Sequence, residues 1–156
     1  MALIISNRQR TRRINVRLLR RILSTLLDEL LQLEEYELGI TLVAAPEMTR
    51  VNETYLQHSG STDVITFDHT EPGTRNLELG TRLHGELFIC VDEAVLQARQ
   101  FRTTWQSELF RYAIHGVLHL RGYDDHRAAD RRRMKREENR LLRLLASKCS
   151  FHAIAR

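Results

Sequence analysis

The stretch at residues 104–121, T-W-Q-S-E-L-F-R-Y-A-I-H-G-V-L-H-L-R, constrains the fold more than any other part of the chain. Leu109, Tyr112, Ala113, Gly116, Val117 and Leu120 fall at i, i+3, i+4, i+7, i+8 and i+11. A helix with a stripe this wide must bury it against a broad apolar surface, and a β-sheet is the natural one. His115 and His119 sit one turn apart beside that stripe, so both rings leave the same face of the helix.

Strands to form such a sheet are legible on both sides. Leu3–Ser6 is a short β-prone run, Leu38–Ala44 is β-rich, and Thr62–Phe67 reads as another strand. In Leu83–Val91, residues Leu83, Gly85, Leu87, Ile89 and Val91 face one way and His84, Glu86, Phe88 and Cys90 the other. Between Phe67 and Leu83 the turn-forming residues of 68–82 predict a long loop. Helices are predicted from Val16 to Leu33 behind an Asn15 cap, over Pro46–Leu56, over Asp92–Gln100 and over about Ala128–Ala146. With no repeat and no Pro/Gly-rich linker, residues 1–156 read as one small α/β domain of somewhat α+β character. It has about four strands in a mixed sheet, about five covering helices, and a metal site on a sheet-packed helix.

With 42% hydrophobic and 28% charged residues the composition is that of a folded soluble domain rather than a disordered chain. No apolar run approaches the roughly 20 residues of a membrane span. The N-terminus, M-A-L-I-I-S-N-R-Q-R, lacks a signal peptide's apolar core, so a cytoplasmic location and no membrane partner are expected. Cys90 and Cys149 form no C-x-x-C pair, which leaves nitrogen and oxygen as the ligands for any metal. The +4 net charge is unevenly spread. Residues 1–27 hold seven arginines and no acid, and residues 127–143 hold seven arginines and Lys135 against Asp130, Glu137 and Glu138. Such blocks suit an RNA or phosphate-rich partner, or else form solvated helix faces with internal pairs such as Arg133 with Glu137.

After His119 the chain reads L-R-G-Y-D-D-H. Gly122 supplies the positive-φ residue that commonly ends a helix, so the chain can turn back and offer a third ligand to an ion held by His115 and His119. Register favours Asp125, while zinc chemistry accepts Asp125 or His126 equally. A peptidase of the H-E-x-x-H kind needs a glutamate where this chain has Gly116, so peptide hydrolysis by that route is disfavoured. A metal here would act as Lewis acid on a phosphoryl oxygen and generate hydroxide from its bound water.

These residues resemble the YbeY-type endoribonucleases. H-G-V-L-H-L-R-G-Y-D-D at 115–125 is similar to that family's H-G-x-L-H-L-x-G-Y-D-H, and Asn52, Tyr55 and S-T-D-V-I-T-F at 61–67 resemble its N-x-x-Y-R…P-T-D-V-L-S-F. G-E-L-F-I at 85–89 and Glu108 stand where the family has G-D-I-x-I and a glutamate. The resemblance implies a small α/β fold with one Zn2+ ion at the mouth of a basic cleft. It implies single-strand-specific cleavage of ribosomal RNA in small-subunit 3′-end maturation and ribosome quality control. Ribosomal RNA and the ribosome or its small subunit are the implied partners, with no DNA expected. Carried over residue by residue, the ligands are His115, His119 and Asp125, the last where the family usually has histidine. Leu56 stands where the family has an arginine thought important for activity, and His58 is a possible substitute.

Other residues carry two readings each. Thr62 and Asp63 either line the cleft or bond local backbone. Glu108 either orients a neighbour or complements a helix dipole. Trp105 and Tyr123 either stack on bases or pack at the core edge. Three functional readings follow: the metal-dependent endoribonuclease, a non-catalytic ribosome-assembly factor with a structural metal, and, remotely, a zinc peptidase using a carboxylate such as Glu86.

Overall fold

Alternation of buried and exposed residues along three strands builds the sheet on which everything else rests. A computed structural model describes residues 1–70 and 82–155. β1 (Ala2–Asn7), β2 (Glu35–Val43) and β4 (Arg82–Cys90) run parallel, and β3 (Val64–Asp68) is antiparallel to β4, giving the order β1-β2-β4-β3. The helices are α1 (Val16–Ser24), α2 (Ala45–Tyr55), α3 (Val91–Phe101), α4 (Trp105–Leu120) and α5 (Ala128–Lys148). The expected small α/β domain is thus observed, with four strands and five α-helices among the described residues.

The inward residues of the sheet, Leu38, Ile40, Leu42, Leu83, Leu87 and Ile89, form one core with Leu109, Ala113, Val117 and Leu120 of α4. The stripe predicted on α4 is therefore the buried one. Among the described residues, the other face of the sheet is covered at the end where Met48 and Val51 of α2 meet Val43, Ile65 and Cys90. His84 and Glu86 stay exposed beyond it.

The structure departs from the predicted elements where periodicity alone misleads. The helix from Val16 does not run unbroken to Leu33: residues Thr25–Leu30 form π-helical turns. There the Leu31 amide donates to the Leu26 carbonyl, five residues back, which keeps the adjacent Leu26, Leu27 and Leu31 all buried. β2 begins at Glu35 rather than Leu38, because Tyr36 is buried and donates to Asp28 Oδ1 at 2.9 Å while Glu35 and Glu37 lie on the open face. β3 starts at Val64, since Asp63 Oδ1 accepts from the Val64 amide at 2.7 Å and Thr62 donates to Asp63; the local reading of that pair holds. A 3₁₀ turn at Phe151–Ile154 was not anticipated; Phe151 stacks on Phe110 with ring centroids 4.3 Å apart, and Ile154 is buried. Most of the loop predicted at 68–82 lies outside the described residues.

α4 lies close on the sheet because two glycines leave room. A Cβ on Gly116 would come 2.6 Å from Leu87 Cδ2, and one on Gly85 would meet the Phe67 carbonyl at 2.6 Å and Leu120 Cδ2 at 2.7 Å. At Gly85 the obstacle includes backbone, so the sheet itself would have to give. Gly85→Ala should lower stability by about 1–3 kcal/mol, as overpacking does; an unchanged urea midpoint would contradict this close seating.

Candidate metal centre

α4 is fixed at both ends. At its start Thr104 Oγ1 accepts from the Ser107 amide at 3.2 Å, and Thr103 donates to buried Glu108 at 2.7 Å. Glu108 thus ties the residue before the cap to the first turn of this helix. At its end Gly122 adopts φ +104°, its amide donates to the His119 carbonyl at 3.0 Å, and the Tyr123 amide donates to the Leu118 carbonyl at 3.0 Å. This reversal returns Asp125 towards the histidines.

The two rings are oriented from behind. His115 Nδ1 lies 2.8 Å from Glu138 Oε1, and His119 Nδ1 lies 3.1 Å from the Tyr123 carbonyl oxygen. Both partners accept, so each Nδ1 carries a proton, and in the neutral form of each ring the lone pair is on Nε2. Those two Nε2 atoms face each other at 3.1 Å. Two bare lone pairs at that distance repel, and either a proton shared between the rings or a metal cation relieves them. Ligands about 2.0–2.1 Å from a tetrahedral ion stand roughly 3.3 Å apart, close to what is seen. Asp125 Oδ2 completes the group at 3.4 Å from His119 Nε2, and ligand atoms of all three residues lie within 4.8 Å of one another. His115, His119 and Asp125 can hold a metal ion, and the donor set is of the nitrogen–oxygen kind that the cysteine arrangement requires.

His126 goes elsewhere. It is 87% exposed, its Nε2 lies 3.6 Å from Asp124 Oδ1, and its amide donates to the same oxygen. Asp124, Asp125 and His126 form a second, exposed group that shares only Asp125 with the first. The Gly122 turn sets Asp125 beside His119 and His126 beside Asp124.

Glu138 is the residue that sequence reasoning missed. It comes from α5, its side chain is 4% exposed, and it gathers three donors. Besides His115, Arg111 Nη1 donates to Oε2 at 2.6 Å and Lys135 Nζ donates to Oε2 at 3.0 Å. Burial alone pushes this carboxyl up, but the hydrogen bonds from His115, Lys135 and Arg111 outweigh it and hold it down at about 2. A signal did exist: Met134, Glu138, Leu141 and Leu145 share one helical face, which puts a charge at a core position. Glu137, by contrast, pairs with Arg140, not with Arg133.

The remaining predicted residues lie apart from this group. Leu56 ends α2 and is exposed, and Asn52 is buried with its Nδ2 donating to the Gly60 carbonyl at 2.9 Å, a structural role. Among the described residues, His58 makes only a backbone bond, from its amide to the Asn52 carbonyl. Trp105 and Tyr123 pack against the main core. Glu86 projects from the sheet face opposite α4 and pairs with His69 at 2.8 Å.

Fold and site together define a small α/β protein organised around a helix-borne candidate metal centre. The family model described as endoribonuclease YbeY matches residues 4–146, and the chain belongs to that family. It is similar to endoribonuclease YbeY of Chlorobium luteolum, 47% identical over 62% of this chain and 64% of that one, so the match spans just under two thirds of the relative's length. It is 41% identical to endoribonuclease YbeY of Parabacteroides distasonis over 66% of this chain and 67% of the other. The fold is shared with the Thermotoga maritima protein TM1509, solved in solution, at a TM-score of 0.66 and 22% identity over 94% of this chain and 91% of that one.

If Glu138 sets the His115 tautomer, Glu138→Gln should weaken zinc binding by about 10–100-fold in a competitive chelator titration, while Glu137→Gln leaves it unchanged. Equal affinity of all three proteins would show that the carboxylate does not act on the ring.

Proposed function

We propose that this chain, as one domain over residues 1–156, is a zinc-dependent, single-strand-specific endoribonuclease. It acts on ribosomal RNA in small-subunit 3′-end maturation and in ribosome quality control, in the cytoplasm where ribosomes are made. One Zn2+ ion is held by His115, His119 and Asp125. The observation that carries the reading is the pair of bare Nε2 atoms at 3.1 Å with Asp125 beside them, in a member of the endoribonuclease YbeY family.

Zinc, when bound, supplies Lewis acidity toward a phosphoryl oxygen and lowers the pKa of water. The chain's own residues do the rest. Glu138 and the Tyr123 carbonyl accept at each Nδ1 and so direct each Nε2 toward the ion. Asp125 places one negative charge in the ligand set, where a histidine would place none. With His126 turned to Asp124, three protein ligands meet the ion, the number found in catalytic rather than closed structural sites.

Peptidase chemistry does not fit this site. A glutamate at 116 has no space, because even a Cβ there meets Leu87, and Glu86 lies on the far side of the sheet. The assembly-factor reading keeps one observation in its favour: exposed Leu56 offers no cation where the family has an arginine.

Full-length protein loaded with zinc should cut a single-stranded ribosomal RNA fragment and leave the duplex form whole, and chelator or His115→Ala should reduce cutting to background. Zinc-loaded protein that binds the fragment without cutting it would favour the assembly factor and overturn the enzyme.

A further inference from the structure

The arginines of residues 1–27 are not spread evenly over the surface; the fold gathers several at the C-terminal end of β1. The chain leaves β1 at Asn7 and reaches α1 at Val16 through a loop that is built rather than loose. Buried Gln9 donates through Nε2 to Asn7 Oδ1 at 2.9 Å and to the Arg12 carbonyl at 2.8 Å, and its Oε1 accepts from the Arg12 amide at 3.0 Å. Thr11 donates to Asp92 at the start of α3, and Ile14 pairs with Ala155. The result is an open depression of about 620 Å³ lined by Asn7, Gln9, Arg10, Arg12, Arg13 and Ile14. It continues past Ile14 into a second depression of about 420 Å³ that Arg17 lines.

The charges here are uncompensated. Among the described residues, Arg10, Arg13, Arg17 and Arg21 make no ion pair and no side-chain hydrogen bond, whereas neighbouring Arg8 is paired with Glu47. Arg17 and Arg21 stand at i,i+4, a repulsive spacing. Arg17 also sits in the first turn of α1, a turn without any acid, against the helix dipole. Each of these placements costs stability in the free protein, and an anion in the depression would relieve them together.

The depression is remote from the metal centre. Asn7 is level with Leu42 and through it with Ile89, while the end of α4 sits on Gly85. Four residues along the strands and two strands across put the loop roughly 15 Å from that point. It therefore cannot hold the phosphate being cut.

We infer that the loop at 8–13, with Arg17, is a second RNA-binding surface that grips backbone phosphates several nucleotides away from the metal centre. This deepens the endoribonuclease reading and rests on it for the choice of RNA as the polyanion. Guanidinium groups fit the role, since their planar donor forks match phosphate oxygens. A surface of this kind adds affinity and register for long substrates without touching the reacting bond.

The test uses the full chain with Arg10, Arg13 and Arg17 all changed to Ala, and a second variant with all three changed to Lys. The probes are a long labelled single-stranded RNA, an oligonucleotide too short to reach both places, and phosphatidylserine vesicles. For the long RNA the Ala variant should bind at least about tenfold more weakly, and its slope of log affinity on log salt should flatten by about 2, as expected for three lost contacts to a single strand. KM for the long RNA should rise with kcat unchanged, the short oligonucleotide should show neither effect, and the Lys variant should recover the slope. An unchanged slope, an equal loss on the short oligonucleotide, or binding to vesicles in preference to RNA would each overturn the inference. If wild-type protein cuts nothing but the slope shifts as stated, the surface stands and the nuclease reading falls instead.

Discussion

Two imidazole lone pairs pointed at each other across 3.1 Å are the constraint on which the rest of this structure turns. Left to themselves, two neutral acceptors would rotate apart or one would take up a proton. Here neither ring is free to turn, because a buried carboxylate holds one Nδ1–H and a main-chain carbonyl holds the other. The arrangement suits a positive charge, proton or metal ion, between the two rings. The cost falls on burying Glu138, and it is offset by three donors rather than one.

Each element can be traced to that requirement. α4 must lie close on the sheet to present both histidines on an accessible flank, and Gly85 and Gly116 permit the approach. α5 must return along α4 for Glu138 to reach His115, and its apolar face, Met134, Leu141 and Leu145, drives that return. The Gly122 turn then separates two neighbouring side chains, setting Asp125 beside His119 and His126 beside Asp124. Stability and site geometry share the same contacts, so a change that loosens the core beneath α4 also loosens the ligands.

Much of this was legible from residue order, for a physical reason. Helical periodicity and the i,i+4 histidine pair are local properties, so the stripe on α4, the buried face of β4 and the candidate ligands could all be read before any fold was known. Glu138 was not, because its role exists only once two helices 23 residues apart in partner spacing are packed together. The start of β2 was hidden by Glu35 and Glu37, whose charges sit harmlessly on a sheet face that α2 does not reach. The π-helical turns at Thr25–Leu30 follow from tertiary demand on adjacent leucines, which a fixed period of 3.6 cannot express. Leu56 stands exposed where the resemblance implies an arginine, and nothing among the described residues explains that exchange.

What the two histidines and Asp125 hold can be measured. X-ray absorption at the metal edge of the full-length protein, loaded with one equivalent of zinc, reads the ligand set directly. Two imidazole nitrogens and one carboxylate oxygen are expected at about 2.0–2.1 Å, with the last position filled by solvent oxygen. Sulfur scattering, a third imidazole, or protein that retains no zinc after gel filtration would contradict this ligand set.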